Sequence, residues 1–216
     1  MSDETADSRA PEDAQLPDDA NVPDDADVAD DVPDWDDEYV DRVSDRLMFN
    51  YDLEKDHAVR GRAFTMYGEL RLESQKHFLH PSVNYANYEA REHLFVRRAE
   101  TISRADLDEL VELGHELADE WIDPDEEHYG TEFTFGVVVP EIPDAVREHV
   151  ADFRDRTLLK FGYYGHYEVN LLVAAPDREE VVESRNADVA TAFRTWTDVA
   201  EERSGLLTRL VSAIRG

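Results

Sequence analysis

The stretch that decides the fold is SRADLDELVELGHELADEWIDP, residues 103–124, set between LFVRR at 94–98 and FTFGVVV at 133–139. Ser103 followed three residues later by Asp106 has the form of a capping box, with Asp in the place of the usual Glu or Gln. Behind it Leu107, Leu110, Val111, Gly114, Leu117, Ala118 and Trp121 recur at helical spacing as one buried stripe, and Asp123-Pro124 ends the run. Residues 94–98 and 133–139 are too short and too rich in aromatic and β-branched side chains for helices, so they read as strands, the second closed by Pro140.

Outward from this centre, Phe64, Met66, Gly68, Leu70 and Leu72 alternate with Thr65, Tyr67, Glu69 and Arg71, the period of a half-buried strand. Further upstream, Tyr39, Val40, Val43 and Leu47 predict a helix behind a capping Asp. Residues 80–92, rich in Asn and Tyr and broken by Pro81, read as loop with room for a helical turn. Downstream, Pro143 opens a helix with Val146, Val150 and Phe153 on one face. Residues 158–161 and 167–173 then form a hairpin across the turn Gly162-Tyr163-Tyr164-Gly165. Val182, Val189, Phe193 and Trp196 fit a helix face, but Thr191, Thr195 and the aromatics favour strand, and the reading adopted is a strand over 189–195. Leu206, Leu207, Leu210, Val211 and Ile214 predict a closing amphipathic helix over 201–216.

Strands and helices intersperse without the regular alternation of a doubly wound fold. The expected class is α+β: a single domain with a mainly antiparallel or mixed sheet and helices packed on it, preceded by a disordered acidic tail. The boundaries are 1–35 for the tail, 36–200 for the domain and 201–216 for the terminal helix. The tail repeats Pro11-Glu12-Asp13-Ala14 as Pro17-Asp18-Asp19-Ala20 and Pro23-Asp24-Asp25-Ala26. Its few apolar groups cannot offset a backbone ordering cost of about 1–2 kcal/mol per residue.

Composition speaks to setting. Against 52 Asp and Glu stand 22 Lys and Arg, a formal charge of -30 over 216 residues. The first 38 residues carry 16 acidic groups and one Arg, so half of the net charge lies there and half in the remainder. Repulsion on this scale is screened at molar salt, where the Debye length falls to about 3 Å. Only Lys55, Lys76 and Lys160 are lysines. High acidity with lysine depletion resembles the proteome-wide bias of haloarchaea and implies a salt-rich cytoplasm. A mimic of DNA would share the acidity but leaves the lysine depletion unexplained. With no cysteine, disulfides and thiolate metal sites are excluded. The sequence has neither a secretory signal nor an apolar window long enough for a membrane span, so a cytoplasmic location is expected.

The phosphate-binding P-loop, Gly-x-Gly-x-x-Gly, His-Glu-x-x-His and Gly-x-Ser-x-Gly are all absent. His77, His80 and His93 with Glu89 make a loose imidazole and carboxylate set, but their spacing does not converge on a strand, and no metal or cofactor is expected. His115, Glu112 and Asp119 lie opposite the apolar stripe of their helix and read as a solvated face.

The chemically mixed part is 162–194. Gly162 and Gly165 permit a turn that projects Tyr163 and Tyr164 outward. His166, Glu168 and Asn170 share one face of the following strand, opposite Tyr167, Val169 and Leu171, as in any half-exposed strand. The expected binding surface is Tyr163, Tyr164, His166, Glu168, Arg185 and Arg194, with no residue assigned to catalysis. The run SRNADVATAFR at 184–194 resembles the closing strands of barnase- and RelE-like ribonucleases. That resemblance implies RNA cleavage without metal, His166 as acid or base and Arg185 or Arg194 as phosphate clamp. The Glu168-x-Asn170 pair has Asn where Glu-x-Lys nucleases have Lys. Two functions follow as expectations: a non-enzymatic binding or accessory domain adapted to high salt, with a protein partner as one option for its ligand, or a metal-independent ribonuclease. Nucleic acid as a partner is disfavoured by the acidic domain, because RNA affinity draws on positive charge.

Overall fold

Asp37 starts α1 (Glu38–Leu47) by accepting hydrogen bonds from the backbone N–H groups of Tyr39 and Val40, and Tyr39, Val40, Val43 and Leu47 turn inward. The computed structural model describes residues 33–74 and 88–197. The acidic repeats, most of the loop expected at 80–92, His77, His80 and the helix expected at 201–216 lie outside the described residues.

Seven strands form one mixed sheet: β1 (Asp52–Val59), β2 (Arg62–Ser74), β3 (Tyr88–Arg98), β4 (His128–Val138), β5 (Asp155–Leu158), β6 (His166–Ala175) and β7 (Glu180–Glu183). The order is β1-β2-β3-β4-β6, with β1 and β2 antiparallel, β2 and β3 antiparallel, and β3, β4 and β6 parallel. The α+β class with a mixed sheet is as the sequence implies. Its parallel centre comes from two crossovers, through α2 (Arg104–Trp121) and α3 (Asp144–Asp152). The near-continuous apolar run of β4 follows from this position, since a central parallel strand is covered on both sides.

One layer is α2 with α3. The capping box is complete, Ser103 and Asp106 satisfying each other's backbone N–H groups. Leu107, Leu110, Leu113 and Leu117 pack with Val146 and Val150 against Phe95, Phe133, Phe135 and Val169. Gly114 lets α2 approach β6 closely, since a Cβ there would lie 2.8 Å from Val169 Cγ2. The other layer is α1 with residues 188–193, which cover Met66, Leu94, Val96, Leu172 and Ala174. Tyr39 Oη donates to the carbonyl of Phe193 at 2.7 Å, joining the two parts of this layer, and Trp35 Nε1 donates to that of Thr65 at 2.9 Å, fixing it to the sheet.

Several expectations are corrected. Residues 188–193 are a 3₁₀ turn, not a strand, and Val189, Ala190, Ala192 and Phe193 are all buried, a density that alternation in a strand cannot give. Strand β3 already begins at Tyr88, inside the segment read as loop. The hairpin into β6 is real, but its first strand is β5, and residues 159–162 form a 3₁₀ turn with Lys160 and Phe161 at positive φ. Strand β6 is buried on both faces: Glu168 and Asn170 are 4% and 3% exposed, so their polar line is not a solvated one.

Candidate functional site

The outer edge of β6 is shared by two short strands. β5 pairs with residues 166–169 and β7 with residues 172–175. Between them Ser184 bridges the gap: its N–H donates to the Leu171 carbonyl at 2.8 Å, its Oγ accepts from the Leu171 N–H at 3.0 Å and donates to Asn170 Oδ1 at 3.2 Å. Where β5 and β7 part, a cleft of about 340 Å³ opens, lined by Phe153, Arg154, Asp155, Arg156, Glu168, Asn170, Arg185 and Asn186.

Glu168 is the floor of the cleft. Its Oε2 accepts from Asn186 Nδ2 at 2.6 Å, and its Oε1 lies 3.3 Å from Arg156 Nη1 and 3.5 Å from His166 Nε2. Arg156 Nη2 stands 3.2 Å from His166 Nδ1. An arginine only donates, so Nδ1 is the acceptor and the imidazole proton sits on Nε2, facing Glu168. Burial, reinforced by the Arg156 charge, lowers the His166 pKa and keeps the ring neutral, against the opposing pull of Glu168.

Behind Glu168 the same row of the sheet continues inward. Glu92, Glu132 and Glu168 are register partners on β3, β4 and β6. Neighbouring strands lie about 5 Å apart, too close for three carboxylates, one buried and two half-buried, to ionise together with one nearby Arg. Burial raises the Glu132 pKa well above 4.5, helped by Glu92, Glu168 and Asp188. Burial also raises Glu92, partly offset by Tyr51 Oη, which donates to Glu92 Oε2 at 2.5 Å. Asn170 Nδ2 donates to Glu132 Oε2 at 3.3 Å. The row therefore favours a proton on its inner members, Glu132 and Glu92, behind the cleft. Among the described residues, no three His, Asp or Glu side chains are grouped so as to hold a metal ion.

Of the residues singled out from the sequence, Glu168 and Arg185 line the cleft and His166 flanks it. Tyr163 projects into solvent, 84% exposed. Tyr164 is half-buried, and its carbonyl accepts from His128 Nδ1 at 2.8 Å. Arg194 lies elsewhere, with Nη2 2.5 Å from Glu183 Oε1 on β7. His115 is not merely solvated: Nδ1 is 3.0 Å from Tyr167 Oη and Nε2 3.0 Å from Asp155 Oδ2, a clasp between α2 and the hairpin. Glu112 and Asp119 beside it are exposed. The sequence reading missed Arg154, Arg156, Glu92 and Glu132. Arg154 and Arg156 alternate about Asp155, which is a weak signal, and the glutamates meet only through strand register.

The fold and cleft define an α+β protein with a mixed sheet whose polar site lies at a split sheet edge. The chain belongs to the family described as a domain of unknown function, DUF8052, whose model matches residues 36–195. No curated protein and no solved structure matches it.

Proposed function

We propose that this chain is a binding or accessory domain of a salt-rich cytoplasm, and that its site is the cleft between β5 and β7. The observation that carries the reading is Glu168, a buried carboxylate on a covered strand, in a cleft where Arg154, Arg156 and Arg185 outnumber the one other acidic lining residue, Asp155. In a chain of net charge -30, arginines gathered round one opening select an anionic group. Glu168 and the Asn170 and Asn186 amides beneath them suit hydroxyl or amine donors on the same ligand. The fitting class is a small anion that also carries hydrogen-bond donors. No described helix is long and apolar enough to cross a membrane.

The test is calorimetric titration in molar KCl with ribose 5-phosphate, inorganic phosphate and ribose. Ribose 5-phosphate should bind best and ribose not measurably, with affinity falling about tenfold in Arg185→Ala, the loss of one charge-assisted contact. Absence of binding by both anions sinks the reading.

A second reading, a ribonuclease that needs no metal, draws on one feature: His166 and Glu168 adjoin Arg156 and Arg185 at the same opening, an acid and base pair beside phosphate-binding groups. Arg194, the alternative clamp, is held by Glu183 instead. Cleavage of an RNA oligonucleotide in molar KCl, abolished by His166→Ala, would carry this reading. An intact oligonucleotide would remove it.

A further inference from the structure

On the opposite face of the sheet, at the end of α2, a second cavity of about 320 Å³ is lined by Tyr67, Glu69, Arg91, His93, Trp121 and Thr131. Its walls are aromatic. His57, Tyr67, His93 and Phe133 follow one another as near-parallel rings, with centroids 4.3, 6.1 and 5.2 Å apart and interplanar angles of 19°, 14° and 19°. Trp121 stands across this row, at 83° to Tyr67 and 69° to His93. A planar ligand entering here meets the faces and edges of rings already fixed by one another, at little ordering cost.

The polar groups are equally fixed. Tyr67 Oη lies 2.8 Å from His93 Nδ1. Burial lowers the His93 pKa to about 4, aided by Arg91 and Arg71 against Glu69, and burial raises that of Tyr67, so both are neutral. With the phenol donating to Nδ1, the remaining imidazole proton is on Nε2. Thr131 is set by a bulge: His128 pairs with Glu89 and Gly130 with Ala90, so the extra residue Tyr129 turns His128 onto the face of Thr131. His128 Nε2 lies 2.9 Å from Thr131 Oγ1 while its Nδ1 donates to the Tyr164 carbonyl.

Charge at the mouth decides the ligand. Glu69 is engaged by Arg71 through two contacts of 2.8 Å. Arg91 meets Glu89 at 3.3 Å in a pair exposed by 45% and 44%, which a ligand anion can replace. A cation would instead face Arg91.

We propose that this cavity is a second ligand site, independent of the cleft at β6, and that it takes an aromatic carboxylate, its ring against Trp121 and Tyr67 and its carboxylate on Arg91. The test is equilibrium dialysis of the full chain in molar KCl with labelled benzoate, benzylamine and cyclohexanecarboxylate. Benzoate should bind saturably, at least about tenfold tighter than either comparison, which differ from it in charge and in ring character. Arg91→Gln, at an exposed position, should weaken benzoate by a similar factor, and Trp121→Leu, checked for folding by circular dichroism, should weaken it too. Arg185→Ala, at the other cleft, should leave benzoate unchanged, so the two sites fail separately. No saturable benzoate binding, equal binding of cyclohexanecarboxylate, or full affinity in Arg91→Gln overturns the proposal.

Discussion

The two faces of β3, β4 and β6 are made by alternate residues of the same strands, yet they are built in opposite ways. Towards α2, Phe95, Phe133, Phe135, Val169 and Leu171 form an apolar layer, bordered at one end by polar groups held in pairs, Tyr67 with His93 and Glu69 with Arg71. Towards α1, Leu94, Val96, Val138 and Leu172 are apolar at one end, while Glu92, Glu132 and Glu168 line up at the other. The helices account for the difference: α2 has 18 residues and α1 ten. The longer helix brings an apolar stripe along the strands. The shorter one, with residues 188–193, covers part of its face and leaves the rest for charge. A row of carboxylates inside a sheet therefore marks where the cover stops, and that is where the cleft opens.

The sharpest way to break the comparison is to excavate the apolar face. Phe135 is fully buried between Phe95, Phe64 and α2. Phe135→Ala should cost about 3–5 kcal/mol, read from chemical denaturation in molar KCl. A loss no larger than a surface substitution gives would mean that this face is not the core.

Next in size is a change that strikes both faces. Gly165 has φ +72°, and a Cβ there would lie 2.2 Å from the Tyr129 carbonyl oxygen. It seats the hairpin on the bulge that aims His128 at one face, while His166 beside it serves the other. Gly165→Ala should destabilise by about 2–4 kcal/mol, combining the left-handed backbone with an overlap that only backbone movement relieves. It should also weaken ligand binding at the cleft and at the aromatic cavity. Loss at only one of them would show that the hairpin supports a single site.

The two faces should also respond to pH with opposite slopes. His93 binds its proton less readily folded, at about 4, than at its ordinary 6.5. The unfolded chain thus gains protons first as pH falls, and stability is lost from about 6.5 down to about 4, by about 3 kcal/mol in all. Glu132 binds its proton more readily folded, its pKa raised above 4.5 by burial and by the neighbouring carboxylates, so stability is lost as pH rises beyond 4.5. Denaturation midpoints of His93→Gln and Glu132→Gln across this range should flatten the acid and the alkaline flank respectively. Parallel profiles for wild type and Glu132→Gln would mean that the row holds no displaced proton.

What the sequence made legible follows the same division. The stripe of α2 and its box at Ser103 were plain because a long helix on an apolar sheet repeats its signal. Strand β2 showed for the same reason. Strand β1 carries Asp52, Glu54 and Asp56 on its outer side and offers only Leu53, Ala58 and Val59 as apolar residues, so its pattern resembles a loop. Strand β7 has four residues, too few for a period. The row at Glu132 was invisible because neighbours across a sheet are chosen by register, which a single chain does not spell out. His166, Glu168 and Arg185 were found by chemistry alone, since a tight turn followed by mixed polar groups stands out wherever the sheet places it.

The smallest expected effect tests whether the hairpin turn contributes to either layer. Phe161 is 96% exposed and holds φ 62°, a left-handed backbone that an aromatic residue adopts at a cost. Asn tolerates this region better than Phe, because it lacks the bulky ring. Since almost none of the ring is removed from water, Phe161→Asn forfeits almost no apolar burial and relieves part of the strain. The variant should be more stable by about 0.5 kcal/mol, a shift visible in careful thermal unfolding at fixed salt. Both faces should keep their ligand affinities, because Phe161 lines neither opening. A loss above about 1 kcal/mol would show that the ring is packed in solution and that the turn belongs to one of the two layers.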